Sequence, residues 1–242
     1  MVAHETCFFA KKADLMRLLP LLLGAVALSA CAPAQMRLPS SLAAAERVEF
    51  DGITGWERGD FHAGDYFGGY ERSAERIGFF EIRENRGHSA FVIEGPEIGT
   101  TIEGFCRIRE GSLDFGIVEV IDRKMAYRCE FTAEGRPIPA YLKLQESHAN
   151  VLRPYARRGE IALGGEVVQV RSVHDIVGGK LPTGAPIGYV FEQDGREVGA
   201  VELNGRPALI VPAGTDPGLR RTLTVAALAL GVFWDPANST DT

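Results

Sequence analysis

The sequence predicts a mainly β domain: an antiparallel, closed or nearly closed barrel of about twelve strands around a hydrophobic C-terminal helix. Three observations predict it. Apolar and polar residues alternate over much of the chain beyond residue 46, the signature of strands with one buried face. Gly-Gly, Asp-Gly and Asn-Gly pairs separate these segments at hairpin spacing, and such pairs supply the positive φ of tight turns. One C-terminal stretch is apolar on every side, so it asks for burial all round. A single antiparallel sheet of that size curls or closes on itself.

Composition narrows the function classes. The chain has 242 residues, 45% hydrophobic and 24% charged, which excludes a disordered tail protein and a multi-span membrane protein. Lys and Arg number 26 against 32 Asp and Glu, for a net charge of −6. No Lys/Arg run stands out, so nucleic acid is not an expected partner.

The first element is an address. Leu18–Ala30 is apolar apart from Ser29. These 13 residues are too few to span a bilayer, which takes about 20. They fit the core of a secretory signal, with Lys11, Lys12 and Arg17 as its positive flank and Met16 as an alternative start. Leu28-Ser29-Ala30-Cys31 resembles the lipobox of bacterial lipoproteins. That resemblance implies cleavage before Cys31, a diacylglycerol on its sulfur and an acylated new amine. Several acyl chains on one residue hold a protein stably, where a single chain is marginal. Ala32 follows the cysteine, with no Asp to suggest inner-membrane retention, so the resemblance points to the outer membrane, facing the periplasm. The expected organisation is a signal over 1–30, a tether over 31–45, one β-rich domain over 46–236 and a polar tail over 237–242.

The strands follow in order. Val48 and Phe50 alternate with polar neighbours; so do Met125, Tyr127, Cys129 and Phe131, and Ile138, Ala140, Leu142 and Leu144. Gly164-Gly165 separates Glu160–Leu163 from Glu166–His174. Asp194-Gly195 separates Ile187–Gln193 from Arg196–Leu203, and Asn204-Gly205 leads into Arg206–Val211. The last three of these strands form a meander.

Cys106 and Cys129 both fall on apolar faces, and an oxidising periplasm favours their pairing. Leu113–Ile121 reads as a strand between them. In a simple meander they would then sit two strands, roughly 9–10 Å, apart, beyond the ~7 Å Cα separation that a disulfide allows. Either that strand lies elsewhere or the two are buried free thiols. The expectation is the disulfide, on compartment grounds.

Asp216 is a good helix N-cap and Pro217 suits the first helical position. The helix is expected to run to Trp234 and stop at Asp235-Pro236. Leu223–Trp234 holds no charge and one hydroxyl. This arrangement of strands, closing hairpins and apolar helix resembles the tubby-like barrel shared by tubby domains, scramblases and LURP-one-related proteins. The resemblance carries no catalytic residue across. The Lys/Arg cluster by which tubby domains hold phosphoinositides has no evident counterpart in the sequence, so that activity is not carried over.

The five histidines, His4, His62, His88, His148 and His174, are scattered, and no zinc-ligand spacing, nucleophile elbow or phosphate loop is present. No metal or cofactor is expected. One stretch stands apart. Residues 55–72 carry Trp56, Phe61, Tyr66, Phe67 and Tyr70 among five glycines, with Asp60, His62 and Asp65 beside them. It reads as a loop, either plugging one barrel end or serving as a binding loop. The expected function is a non-catalytic lipoprotein, anchored to the membrane through its lipid, that binds an envelope protein or lipid. The alternative is a cell-envelope hydrolase using the polar residues of that loop.

Overall fold

A computed structural model describes residues 34–79, 82–114, 119–147 and 152–235. Cys31, the expected signal over 1–30 and the expected tail over 237–242 lie outside them. Among the described residues twelve antiparallel strands form one sheet. They are β1 (Glu46–Glu49), β2 (Arg58–Ala63), β3 (Tyr66–Phe79), β4 (Ile82–Gly95), β5 (Ile98–Asp114), β6 (Glu119–Ala133), β7 (Arg136–Glu146), β8 (Arg157–Leu163), β9 (Glu166–Val173), β10 (Gly188–Gln193), β11 (Arg196–Glu202) and β12 (Ala208–Val211). From β2 to β12 each strand pairs with the next, and β1 returns to the free edge of β12. Across the seam Asp51 and His62 exchange two backbone hydrogen bonds, N to O, of 2.8 and 2.9 Å. They bring the two edges of the sheet together into a nearly closed barrel.

Helix α1 (Pro217–Gly231) fills it, with Thr222–Leu230 buried throughout. It touches β5, β8, β9, β11 and β12. The Asp216 side chain caps it, accepting from the Gly218 and Leu219 amides at 2.8 and 3.3 Å. The Tyr127 hydroxyl donates to the Ala229 carbonyl at 2.8 Å, anchoring the last turn to β6. The helix ends three residues before the expected Trp234. Phe233 turns back against Tyr127, ring centroids 4.4 Å apart, and Trp234 lies over the Arg72 guanidinium.

The barrel has two rims. The tight turns at 64–65, 96–97, 134–135, 164–165 and 194–195 mark the first, where α1 begins. Asp194 and Gly195 there adopt φ of 52° and 73°, as the Asp-Gly pair predicted. The second rim carries the longer connections, including 174–187 between β9 and β10. β3, β4, β5 and β6 continue past this rim: β6 pairs with β7 only from Ala126 onward. Residues 35–45, expected as tether, belong partly to the folded body. Met36 and Leu42 are buried against Val190, Ala200 and Ile210 on the outside of the sheet.

The expected strand over Leu113–Ile121 is not a separate element. Leu113 ends β5 and Val120-Ile121 begin β6, and the two pair with each other. β5 is 17 residues long, about three times an ordinary strand, so its far half was mistaken for a new one. Cys106 and Cys129 therefore face each other directly and form a disulfide, with no strand between.

Candidate functional site

The segment 55–72 is not a loop. It is the hairpin of β2 and β3, and its expected binding residues divide between two faces. Phe61, Tyr66 and Tyr70 point into the core. Trp56, His62, Asp65 and Phe67 lie outside. Gly68 hides the alternation: a Cβ there would stand 1.8 Å from the Val92 carbonyl oxygen, so the inward series Tyr66, Gly68, Tyr70 loses its middle apolar residue. Arg72 closes the series, its guanidinium bonded to the carbonyls of Thr54 and Trp56 and stacked on Tyr70. Burial lowers its pKa from the ordinary arginine value. Asp60, His62 and Asp65 are exposed. Among the described residues no group of three acidic, His or Cys side chains converges as a metal site would require.

A different set of residues does converge. On the outer face, register places Arg107 opposite Arg128, and Arg128 opposite Lys143. His88 precedes this row on β4 and Glu160 follows it on β8. One row nearer the second rim stand Arg109 on β5, Arg158 on β8 and Arg171 on β9. Alternation fixes their direction. Cys106, Ile108, Tyr127, Cys129, Leu142 and Leu144 point inward, so the residues between them face solvent.

Like charges directly opposite on neighbouring strands repel, at a cost of a few tenths to about 1 kcal/mol per pair. Acidic neighbours offset the repulsion only in part: Glu130 borders the same hollow as Arg107, Arg109 and Arg128 without an ion pair among the described residues. Arg171 pairs with Glu192 at 2.9 Å. Glu160 accepts from the Tyr141 hydroxyl at 2.7 Å and from Gln169 at 3.3 Å, and these bonds, with Lys143 nearby, hold its carboxyl below the usual range. Arg107, Arg109, Arg128 and Arg158 form no ion pair among the described residues. Two aromatic rings support the cations from the side. Arg107 lies 4.9 Å from the Phe105 centroid and Lys143 3.9 Å from that of Tyr141. Between Arg107, Arg109 and Arg128 the small Ala126 leaves a hollow of about 240 Å³, bounded also by Phe105 and Glu130.

No known family matches. Family models, curated proteins and solved structures were each compared with the chain, and none matches it. The reading of the face therefore stands on its chemistry. Guanidinium groups present fixed pairs of donors that fit phosphate and carboxylate oxygens bidentately. Three of them around a small-floored hollow can hold one such anion. Residue spacing concealed the site. Arg128 is 21 residues beyond Arg107 and Lys143 a further 15, so no cationic run exists along the chain. The signal was in the polar phases of three amphipathic strands, and only the register aligns them.

A second polar cluster lies buried near the second rim. Arg157, 2% exposed, forms a two-pronged ion pair with Asp235, 2.6 Å for the Nη2–Oδ1 arm, and donates to the Tyr189 hydroxyl at 3.3 Å. Burial opposes its charge, but Tyr189 and Asp235 hold its pKa above the ordinary value. Burial pushes Tyr189 up to about 12. Ser172 accepts from the Arg157 amide at 2.9 Å and meets His174 Nε2 at 3.0 Å, while His174 Nδ1 meets the Thr183 carbonyl at 2.9 Å. Arg157, Asp235, Tyr189, Ser172 and His174 are all buried and bonded to their neighbours, so the cluster locks the segment after α1 to β8.

Proposed function

We propose that this chain is an outer-membrane lipoprotein facing the periplasm, anchored through lipid on Cys31, whose barrel binds anionic lipid headgroups without catalysis. The lipobox-like Leu28-Ser29-Ala30-Cys31 supports the address. The cationic face supports the binding role, and it is the observation that carries the reading. Repulsive side chains cluster on one face of a protein whose net charge is −6. An anionic partner turns that local cost into attraction. Phosphate is the headgroup chemistry that Arg107, Arg109 and Arg128 fit, and Phe105 beside them offers apolar contact to the glycerol backbone. The barrel interior supports a surface mode of binding, since α1 fills it with Thr222–Leu230 buried throughout. Strand number and the enclosed helix also support kinship with tubby-like barrels; that kinship contributes no site residue.

Vesicle sedimentation tests the proposal. The purified domain, residues 35–242, should sediment with vesicles rich in phosphatidylglycerol and stay in solution with pure phosphatidylcholine. Added salt should release it, because exposed charges are screened beyond about 10 Å at 0.1 M. Equal sedimentation with both lipids, or with neither, would overturn the binding role.

A further inference from the structure

The folded chain first touches the barrel at the second rim, before crossing its outside to start β1 at the first. The Val177 amide donates to the Gln35 carbonyl at 2.9 Å, the Arg37 amide donates to the Asp175 carbonyl at 2.8 Å, and Met36 and Ile176 form a bridge. The Arg37 guanidinium adds two bonds at 3.0 Å, to the carbonyls of Ile176 and Gly179. The first folded residues are thus tied to the 174–187 connection. The 152–156 turn joins them, because Arg153 reaches Asp175 at 3.0 Å.

This junction carries three of the most exposed large apolar side chains of the described residues: Leu152 at 57%, Val177 at 60% and Leu181 at 71%. Lys180 and Arg37 stand exposed among them. Asp175, the acidic neighbour, is engaged by Arg153. Apolar tips flanked by cations are the composition of a surface that rests in a lipid headgroup layer.

Chain length specifies which surface this is. Cys31 stands four residues before Gln35. Four residues fully extended reach about 14 Å. With acyl chains on Cys31 in the membrane, Gln35 and the Val177 amide bonded to it stay within roughly that distance of the interface.

We propose that the junction of residues 35–37, 152–156 and 174–187 at the second rim is the membrane-contacting surface of the molecule. Leu152, Val177 and Leu181 enter the headgroup region of an anionic bilayer, with Lys180 and Arg37 at its phosphates. Because β3–β6 continue past the second rim away from the β9–β10 side, the barrel axis leans against the bilayer, and the tight turns of the first rim lie farther from it. Arg109 and Arg158, one row nearer this end than Arg107 and Lys143, lie on its side. This inference rests on the reading of Cys31 as lipidated.

The test uses the full chain, expressed with its signal and extracted from membranes. Its intact mass is measured first, and it is then reconstituted into vesicles containing phosphatidylglycerol. Hydrogen exchange is compared between vesicles and detergent. Residues 176–182 should exchange several-fold more slowly on vesicles, while the 164–167 turn at the opposite rim is unchanged. In the V177S/L181S variant, whose altered side chains are exposed, that protection should disappear and the rest of the pattern persist. A mass lacking diacylglycerol overturns the Cys31 reading, and this inference with it. A lipidated chain with no protection over 176–182, or with equal protection at both rims, overturns the orientation alone.

Discussion

Removing Asp235 should destabilise the barrel far more than an exposed salt bridge would. Asp235 is 7% exposed and Arg157 2%, and the two share a bidentate contact beneath the Phe233 ring. In Asp235→Ala the guanidinium stays buried with the Tyr189 hydroxyl and no counter-charge. Breaking a buried pair in this way costs about 3–5 kcal/mol. For a domain of roughly 200 residues each kcal/mol moves Tm by about 2–4 °C, so the expected loss is about 6–20 °C. The double replacement Arg157→Met with Asp235→Leu removes both charges and should recover most of the loss, since apolar residues often substitute for a buried pair without penalty. Thermal melts followed by circular dichroism read both variants at one pH. An Asp235→Ala protein melting within about 1 °C of the native chain, well inside the effect expected for a buried pair, would refute the reasoning. A double variant as unstable as the single one would show that packing, not the orphaned charge, sets the cost.

Reducing Cys106–Cys129, a separation of 23 residues, should cost about 3 kcal/mol in the loop-entropy account, seen as a Tm lower by roughly 6–12 °C in reductant. His174 is held below its ordinary pKa by burial and by Arg153 and Arg157, so it stays neutral when folded. Its contribution to stability is present above the unfolded value near 6.5 and is lost as pH falls toward the folded value. Urea midpoints at pH 7 and pH 5 should therefore differ more in the native chain than in His174→Gln. Leu228 is fully buried in α1, so Leu228→Ala should cost about 2–5 kcal/mol. Leu228→Asp, or deletion from Thr224 onward, should leave no cooperative melt, because a carboxylate there has no partner.

The parts of the fold legible in the sequence are those with local causes. The Asp216-Pro217 start of α1 depends on bonds spanning two and three residues, and the Asp-Gly and Gly-Gly turns on φ at single positions. The disulfide was expected from compartment alone, while its geometry was obscured by the length of β5. The β2–β3 hairpin was read as a loop because Gly68 interrupts its inward face. The cationic row was invisible for a deeper reason. Its members are neighbours only through pairing between strands, which no window along the chain contains.

Affinity for an anionic surface, measured on a charge-neutralised row, decides whether the cationic face binds lipid. Arg107, Arg128 and Lys143 are exposed and repel one another, so R107Q/R128Q/K143Q should fold and melt at or slightly above the native temperature. Each cation near an anionic leaflet contributes about 1 kcal/mol, so losing three should weaken binding to phosphatidylglycerol vesicles about a hundredfold. That loss should appear at low salt, with native and variant converging as salt rises. A correctly folded triple variant that binds these vesicles as tightly as the native domain would contradict binding by this face.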